Sequence, residues 1–374
     1  MALTQSPSSN LGPVLITGGN GFIAYHIIAK LLELDPHIVI HSIDINTSRN
    51  RHANKNVYYH NVDIATPTDV ARIVELAQPV TIFHTASPDL ADGAPDSEYY
   101  RVITKGAASL LDAAAKSKTV RAFVNTSSAG VINDNESDLI DGKEDLPLLH
   151  APQQKRAYCI AKAEAEEAIQ AANRSGGTDN KGLLTCSIRT CLVFGERDVA
   201  ALGTMIAVAK QGKSRFQIGN GQNPYDFVYV GNLADAHILT AQTLLNAWGK
   251  LAPTNHADRL DGSCINLTND EPWLFWDYQR AVAALVGKPV RPEDVVVIPL
   301  WMMLVIGFVS EWAVWLISGG TRRPKMTRNG IRYSTLIRTQ NVSKAKRVLG
   351  YKPKVGMQEG LERSVKWFLE NGGA

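Results

Sequence analysis

The chain has 374 residues, of which 45% are hydrophobic and 20% are charged, as is ordinary for a folded globular protein. Its 39 basic and 36 acidic residues leave a formal net charge of +3, so the composition gives no reason to expect a nucleic-acid partner. The four cysteines are irregularly spaced and form no CxxC pair, which predicts a reducing compartment and no structural metal. The first residues, MALTQSPSSNLGPV, lack the apolar core of a cleaved signal peptide.

Short β-branched runs alternate with longer helical patterns over the first two-thirds of the chain, which is typical of βαβ units. The expected strands are Val14–Thr17, Ile38–Ile43, Val57–His60, Val80–His84, Ala122–Thr126 and Leu184–Arg189, and the expected helices include Phe22–Leu34, Ser97–Ser117 and Tyr158–Ala172. We therefore predict an α/β fold, a Rossmann-type doubly wound parallel sheet with a smaller, mostly helical C-terminal substrate lobe. The sheet domain is expected over residues 10–265, with 196–228 contributing to the lobe, and the lobe over residues 266–374.

The first strand is followed at once by the glycine-rich turn GGNGFIA and then by a helix, the order in which such a turn binds a dinucleotide. Gly18 permits the tight turn, and Gly21 lets the backbone approach a pyrophosphate at the helix N-terminus, beside Phe22 and Ile23. Ala24 occupies the third glycine position and still allows close packing of helix on strand. A plain glycine turn is the structural alternative.

Asp44 ends the second strand, 26 residues after the first glycine of the turn. A carboxylate there accepts hydrogen bonds from both ribose hydroxyls of an adenosine and repels a 2′-phosphate, which favours NAD over NADP. Arg49 and Arg51 follow closely, and an arginine that bound the phosphate would reverse this preference. Asp63 and Ile64, after the third strand, are expected to flank the adenine.

Tyr158 and Lys162 lie four residues apart at the start of the helical run AYCIAKAEAEEAIQAA. Positions i and i+4 share one helix face, so we expect the phenol and the ammonium to project side by side, with the cation lowering the pKa of the tyrosine. Ser128 follows the strand run RAFVNTS, at the edge of the sheet where α/β proteins bind ligands. The pattern predicts that Tyr158 is the acid–base residue, that Lys162 supports it and holds the nicotinamide ribose, and that Ser128 orients the substrate oxygen.

These motifs together resemble the extended short-chain dehydrogenases, and more closely the 3β-hydroxysteroid dehydrogenase family. The matching segments are TGGNGFIA, HTASP, VNTSSAGV, YCIAK, SIRTCLVFGERD, GNGQNPYDFVYVGNLADAH, INLTNDEPWLFWDYQRA and KAKRVLGYKPKVGMQEGLERSVKWF, which cover nearly the whole chain. The resemblance implies NAD as the cofactor and places Thr85 and Ala86 in the loop that lines it.

The strings TSRNRH, TNDEP…FWD and LGYKP are similar to the branch of the family that oxidises the 3β-hydroxyl of a sterol 4-carboxylic acid with loss of carbon dioxide. That resemblance implies the same reaction on a sterol or triterpenoid acid. Two alternatives stay open, a dehydrogenase/isomerase-like enzyme that does not decarboxylate and a catalytically silent nucleotide-binding scaffold. Ala24, Ile103 and Thr190 stand where the family usually has glycine, asparagine and proline, which suggests a diverged paralogue in a specialised pathway.

The segment Val295–Ile317 carries one charge, Glu311, in 23 residues. It is long enough to cross a membrane, although Pro299 lies near its start, and the alternatives are a buried core helix, a membrane span and a helix in the membrane interface. The interface is favoured by aromatic and basic residues, namely Trp301, Trp312, Trp315, Arg322, Arg323, Lys325 and Arg328. We therefore predict attachment to the cytosolic face of the endoplasmic reticulum, beside a cleft for a hydrophobic small molecule. A homodimer, common for this fold, stays an open alternative.

Overall fold

The computed structural model describes residues 11–88, 94–178, 180–255, 258–319, 322, 324 and 326–372, so that Arg323 and Lys325 lie outside the described residues. The strands are β1 (Val14–Thr17), β2 (Ile40–Asp44), β3 (Val57–Asn61), β4 (Thr81–His84), β5 (Ala122–Ser128), β6 (Leu139–Gly142), β7 (Leu184–Thr190), β8 (Leu192–Phe194), β9 (Phe216–Ile218), β10 (Pro224–Tyr225), β11 (Phe227–Tyr229), β12 (Ser263–Leu267), β13 (Trp273–Leu274), β14 (Val296–Ile298) and β15 (Arg338–Gln340). The α-helices are α1 (Phe22–Leu34), α2 (Pro67–Ala77), α3 (Asp96–Tyr99), α4 (Gly106–Lys116), α5 (Ala157–Ala171), α6 (Ala201–Lys210), α7 (Val230–Ala247), α8 (Phe275–Leu285), α9 (Leu300–Ser318), α10 (Arg328–Tyr333), α11 (Ser343–Leu349) and α12 (Met357–Asn371).

Seven parallel strands form the main sheet in the order β12-β7-β5-β4-β1-β2-β3. All six expected strands lie in it, and their apolar runs are buried because helices cover both faces, α1 and α7 on one side and α2 and α4 on the other. The order reverses between β1 and β4, so the carboxyl ends of these two strands open the crevice in which such sheets bind ligands. The predicted doubly wound parallel sheet is confirmed.

The edge strand β12 was not predicted from the sequence, and it crosses the expected domain boundary at residue 265. Its apolar pattern is broken by Asn266, whose buried amide donates to the carbonyl oxygens of Gly142 and Asn341. A buried polar residue is tolerated there because its hydrogen bonds are satisfied by the neighbouring chain.

A second layer packs beside the carboxyl edge of the sheet. It contains the four-stranded sheet β13-β10-β15-β6 and the helices α6, α8 and α12, around an aromatic core in which Phe227 stacks on Tyr278 with ring centroids 4.1 Å apart. Within residues 196–228, α6 and the strands β9 to β11 line this layer. Helix α11 returns to the main sheet, where Ala345 and Leu349 join the core beneath α7.

The helix expected over Ser97–Ser117 is interrupted. A π-helical segment, Tyr100–Lys105, connects α3 to α4 and buries Ile103 against α5. The face of α5 at this contact consists of Ala157, Ala161 and Ala165, whose small side chains allow the close approach of the wider turn.

The apolar segment forms a short strand, β14, and then the long helix α9, which is exposed nearly all round. Trp301 is 70% exposed and Ile317 is 86% exposed, and only Met303 and Gly307 are buried. The buried-core alternative is therefore wrong. Among the described residues, α9 is the one helix long and apolar enough to cross a membrane.

Helix α9 is attached to the body of the protein through α10. Gly307 lies so close to α10 that a Cβ there would come within 2.8 Å of the Ile331 side chain. The Glu311 carboxylate accepts hydrogen bonds from the backbone N–H of Arg328 at 2.7 Å and from its Nε at 2.8 Å. The one charge of the apolar segment is thus paired rather than presented to the surroundings.

Candidate active site

The glycine turn lies against the loop that follows β4. Gly18 has a φ of +64°, and a Cβ on it would lie 2.7 Å from the Cα of Ala86, so both the backbone conformation and the space require glycine. The N–H of Gly21 donates to the carbonyl oxygen of Gly18 at 2.9 Å and closes the turn. Gly21 is also the N-cap of α1 and offers no side chain to the first N–H groups of the helix, which begins with Phe22 and Ile23. This arrangement leaves the helix N-terminus available to an anion.

The loop that contains Thr85 and Ala86 is fixed to the end of β1. Thr85 donates to the carbonyl oxygen of Thr17 from its backbone N–H at 3.2 Å and from its hydroxyl at 2.8 Å. Both predicted loop residues are thereby placed against the glycine turn. These two hydrogen bonds hold the loop to the end of β1 on this side of the crevice.

Asp44 lies at the other side of the glycine turn. Its Oδ2 accepts from the backbone N–H of Asn20 at 3.1 Å, and its Oδ1 accepts from the N–H of Asn46 at 2.9 Å. The buried side chain of Asn20 in turn donates to the carbonyl oxygen of Arg49 at 2.6 Å. Asn20 was not among the predicted site residues, although its place inside the glycine turn was the available signal.

Asp63 is engaged by an arginine that the sequence analysis did not select. Arg101 lies 2.5 Å from one carboxylate oxygen of Asp63 and also pairs with Glu98, while the second oxygen of Asp63 accepts from the N–H of Ala65. The neighbouring Ile64 is buried in the core under α4. Where the adenine was expected, Ile64 therefore provides an apolar wall, and the carboxylate of Asp63 is already paired.

Tyr158, Lys162 and Ser128 come together at the carboxyl edge of β5. The Lys162 ammonium lies 6.0 Å from the ring centroid of Tyr158 and donates to the carbonyl oxygen of Thr126 at 2.8 Å. The hydroxyl of Ser128 accepts from the N–H of Gly130 at 3.1 Å, which fixes its place at the strand end. All three predicted catalytic residues thus lie in one cluster.

The expected lowering of the tyrosine pKa is wrong for the chain without ligands. Burial raises the pKa of Tyr158 above its ordinary value, the neighbouring Cys159 raises it further, and hydrogen bonding to Ser128 lowers it only in part. Burial also lowers the pKa of Lys162, to about 8. Desolvation penalises both charged forms more than the short sequence spacing suggests, because the Lys162 side chain is buried and the Tyr158 ring packs edge to face against Tyr99.

Behind Lys162 lies a buried ion pair that the sequence analysis missed. Arg189 on β7 approaches Glu166 at 2.7 Å, and the hydroxyl of Ser127 donates to the other oxygen of the same carboxylate at 2.5 Å. Glu166 is one turn beyond Lys162 on α5, and its charge raises the pKa of the lysine against the effect of burial. The available signal was Arg189, a charged residue inside the buried strand β7.

Two of the three departures from the family pattern are visible at this site. Ile103 is buried in the apolar contact with α5 and has no polar group to offer there, whereas Thr104 beside it donates to Glu164 at 2.9 Å. Thr190 donates from its hydroxyl to the carbonyl oxygen of Ser127 at 3.4 Å, a contact that proline would lack.

The fold is shared with solved structures of nucleotide-binding α/β enzymes. One is the enzyme WbmG of Bordetella bronchiseptica, solved in complex with NAD and UDP, which has a TM-score of 0.69, is 17% identical, and covers 96% of this chain and 95% of that chain. Residues 15–298 match the 3-beta hydroxysteroid dehydrogenase/isomerase family, and the chain belongs to that family.

Two relatives match nearly the whole length. The sterol-4-alpha-carboxylate 3-dehydrogenase (decarboxylating) of Saccharomyces cerevisiae is 31% identical over 97% of this chain and 99% of that protein. The protein of the same description from Candida albicans is 32% identical over 97% of this chain and 99% of its own length. The family resemblance predicted from the motifs is confirmed.

Proposed function

We propose that this protein oxidises the 3β-hydroxyl of a sterol or triterpenoid 4-carboxylic acid to the 3-ketone, using NAD, with loss of the C4 carboxylate as carbon dioxide. The observation that carries the proposal is the cluster of Tyr158, Lys162 and Ser128 in a chain 31–32% identical, over 97% of its length, to two dehydrogenases of that description. The cleft between the sheet edge and the second layer is the space we assign to the substrate.

The residues around the glycine turn fit NAD. A side chain at Gly18 would collide with Ala86, so the hollow at this turn exists only because the position is glycine. The helix N-terminus after Gly21 suits the pyrophosphate, and Asp44 suits the adenosine ribose. Bound NAD would supply a hydride acceptor and a positive charge beside the cluster.

Side chains of the protein itself would remove the proton and hold the substrate oxygen. Tyr158 would remove the proton of the C3 hydroxyl, and Ser128 would hold the same oxygen through a hydrogen bond. Because burial raises the pKa of Tyr158, its phenolate depends on positive charge nearby. Lys162, whose ammonium lies 6.0 Å from the ring centroid, would supply part of that charge. Lys162 is held between the tyrosine and the sheet by its bond to Thr126 and is also the residue we assign to the nicotinamide ribose.

Decarboxylation needs no further catalytic group. After oxidation, the C3 carbonyl lies β to the C4 carboxylate, so the electron pair of the breaking carbon–carbon bond enters the carbonyl as an enolate while carbon dioxide leaves. Tyr158, which has taken the proton of the hydroxyl, stands where it can donate a hydrogen bond to the enolate oxygen. Protonation at C4 then gives the ketone.

We further propose that α9 lies in the membrane interface, on the cytosolic face of the endoplasmic reticulum. The exposed side chains of Trp301, Trp312 and Trp315 suit that depth, and pairing of Glu311 with Arg328 removes the cost of a free charge in α9. A water-insoluble substrate would then enter the cleft from lipid.

The test is incubation of the purified protein with NAD and a panel of 3-hydroxy-4-carboxy sterols and triterpenoids, followed by mass spectrometry. We expect NADH and a ketone that has lost the mass of carbon dioxide. A ketone that keeps the carboxylate would indicate a dehydrogenase/isomerase-like enzyme, and no NADH with any alcohol would indicate a silent scaffold. Either result would contradict the proposal.

A further inference from the structure

Arg338 is a partly buried cation on β15 that has no carboxylate partner among the described residues. Its guanidinium donates to the amide oxygen of Asn133 at 2.6 Å and to that of Asn135, and it lies over the ring of Tyr333 at 4.4 Å. Within the described part of the chain, its Nε is buried without a hydrogen-bond partner, and so is the amide nitrogen of Asn135. Buried cations in proteins are ordinarily paired, because an isolated charge is costly to remove from water.

The surroundings of the partly buried Arg338 differ from those of Arg189, a fully buried arginine near the site. Arg189 is paired directly with Glu166. The groups that raise the pKa of Arg338 against its burial are Tyr225, Tyr333 and Cys159, and none of them is a carboxylate. Burial holds the pKa of Tyr225 and of Cys159 above their ordinary values, so these two groups are neutral near pH 7 and do not compensate the charge.

Arg338 is adjacent to the catalytic cluster. Tyr333 and Cys159 each act on the pKa of both Arg338 and Tyr158. The asparagines that hold the guanidinium lie just beyond the short helical turn Ala129–Ile132, which begins directly after Ser128. The unpaired cation therefore lies close to the two groups that we expect to hold the C3 oxygen of the substrate.

We propose that Arg338 pairs with the carboxylate on C4 of the substrate and thereby selects acids over neutral alcohols, an inference that rests on the proposed function. C4 is bonded to C3, so a carboxylate on C4 lies within a few ångströms of the oxygen held at Tyr158. The planar guanidinium matches a carboxylate, and the unpartnered donor of Asn135 offers a further hydrogen bond. Because this pairing forms in the ground state, it acts on substrate binding more than on hydride transfer.

The test compares two substrates with three variants. The substrates are a 3β-hydroxy-4α-carboxy sterol oxidised by the wild-type protein and its neutral 4α-hydroxymethyl analogue, with NADH formation as the readout. Arg338→Gln should raise KM for the acid about ten- to a hundredfold, the range of a lost charged hydrogen bond, while kcat for the acid and KM for the analogue change little. Arg338→Lys should keep part of the selectivity for the acid over the analogue. The control Arg332→Gln, which removes an arginine that pairs with Glu136, should change KM for neither substrate.

If Arg338→Gln raised KM equally for the acid and for the analogue, the role of Arg338 would be structural and the inference would be overturned. If the Arg338 variants do not fold, the test is the affinity of the wild-type protein for the acid and for its hydroxymethyl analogue. An acid that binds no tighter than the analogue would leave no role for a pairing cation. The proposed function fails by a different result, namely a wild-type protein that oxidises no 4-carboxy sterol.

Discussion

The ammonium of Lys162 donates a hydrogen bond of 2.8 Å to the carbonyl oxygen of Thr126, which joins the first turns of α5 to the end of β5 two residues before Ser128. This contact sets the distance between the helix that carries Tyr158 and the strand that carries the serine. It also places a cation in the interior, where burial lowers its pKa to about 8 from its ordinary value of 10.5.

Replacement of that cation should stabilise the fold while it removes activity. Below about pH 8 the lysine is protonated in both the folded and the unfolded protein. Between about pH 8 and 10.5 only the unfolded chain binds the proton. The stability of the wild-type protein therefore rises with pH through this window. At pH 7 the free energy of unfolding of Lys162→Met should exceed that of the wild type by about 2 kcal/mol, after allowance for the lost hydrogen bond. This difference should shrink as the pH rises towards 10.5. Urea unfolding over this range, with the exposed Lys155→Met as control, would test it, and a difference independent of pH would contradict it.

Tyr158→Phe removes only the hydroxyl and should lower kcat by about 10²–10⁴-fold, the usual contribution of a general acid or base. NAD affinity should be nearly unchanged, because the ring and its packing against Tyr99 remain. Steady-state kinetics and NAD titration give the two values. Tyr58→Phe, at an exposed tyrosine on β3, is the matched control, and near-normal turnover in the Tyr158 variant would refute its role.

Gly18→Ala should weaken NAD binding about tenfold or more, because its Cβ would lie 2.7 Å from Ala86 and push the two sides of the crevice apart. Gly212 also has a positive φ, +68°, but among the described residues no heavy atom beyond its chain neighbours lies within 4 Å of a Cβ there. Gly212→Ala therefore measures backbone strain alone, about 1 kcal/mol in the free energy of unfolding, and should leave NAD affinity intact. Equal NAD affinities in the two variants would show that the contact with Ala86 is unimportant.

Asp44→Ala should narrow the preference for NAD over NADP by removing the acceptor of the ribose hydroxyls together with the charge that repels a 2′-phosphate. Asp44→Asn keeps an oxygen for the N–H of Asn20 and removes the charge, so it separates repulsion from hydrogen bonding. The measurement is kcat/KM with each cofactor. A wild-type protein that already prefers NADP would contradict the assignment and direct attention to Arg49.

The membrane proposal is tested on α9. Trp312 and Trp315 are each about half exposed and pack edge to face with ring centroids 5.7 Å apart. Their joint replacement by serine should release the protein from vesicles that contain anionic lipid in a flotation assay, without loss of NAD binding. Leu251→Ser, at a residue 82% exposed outside α9, should float like wild type. A wild-type protein that does not float would refute the interface location.

Much of the fold and part of the site follow from local sequence. Six of the seven strands of the main sheet are short apolar runs between turn residues that the sequence predicted. The i, i+4 spacing of Tyr158 and Lys162 is enough to put them on one face of a helix. The glycine turn is defined by its place between β1 and α1. These features depend on neighbours in the chain, so the sequence alone determined them.

Tertiary packing determined the pKa of the catalytic tyrosine and which apolar surfaces are exposed. The spacing predicted a lowered pKa for Tyr158, but burial raises it, since desolvation depends on the residues that tertiary packing brings around the phenol. An apolar run such as α9 has the same composition whether it is buried or exposed, and only the tertiary structure, in which most of its side chains are exposed, distinguishes the two cases. Arg338 comes next to the catalytic cluster because β15 pairs with β6 of the first half of the chain, a contact between distant segments that no local pattern records.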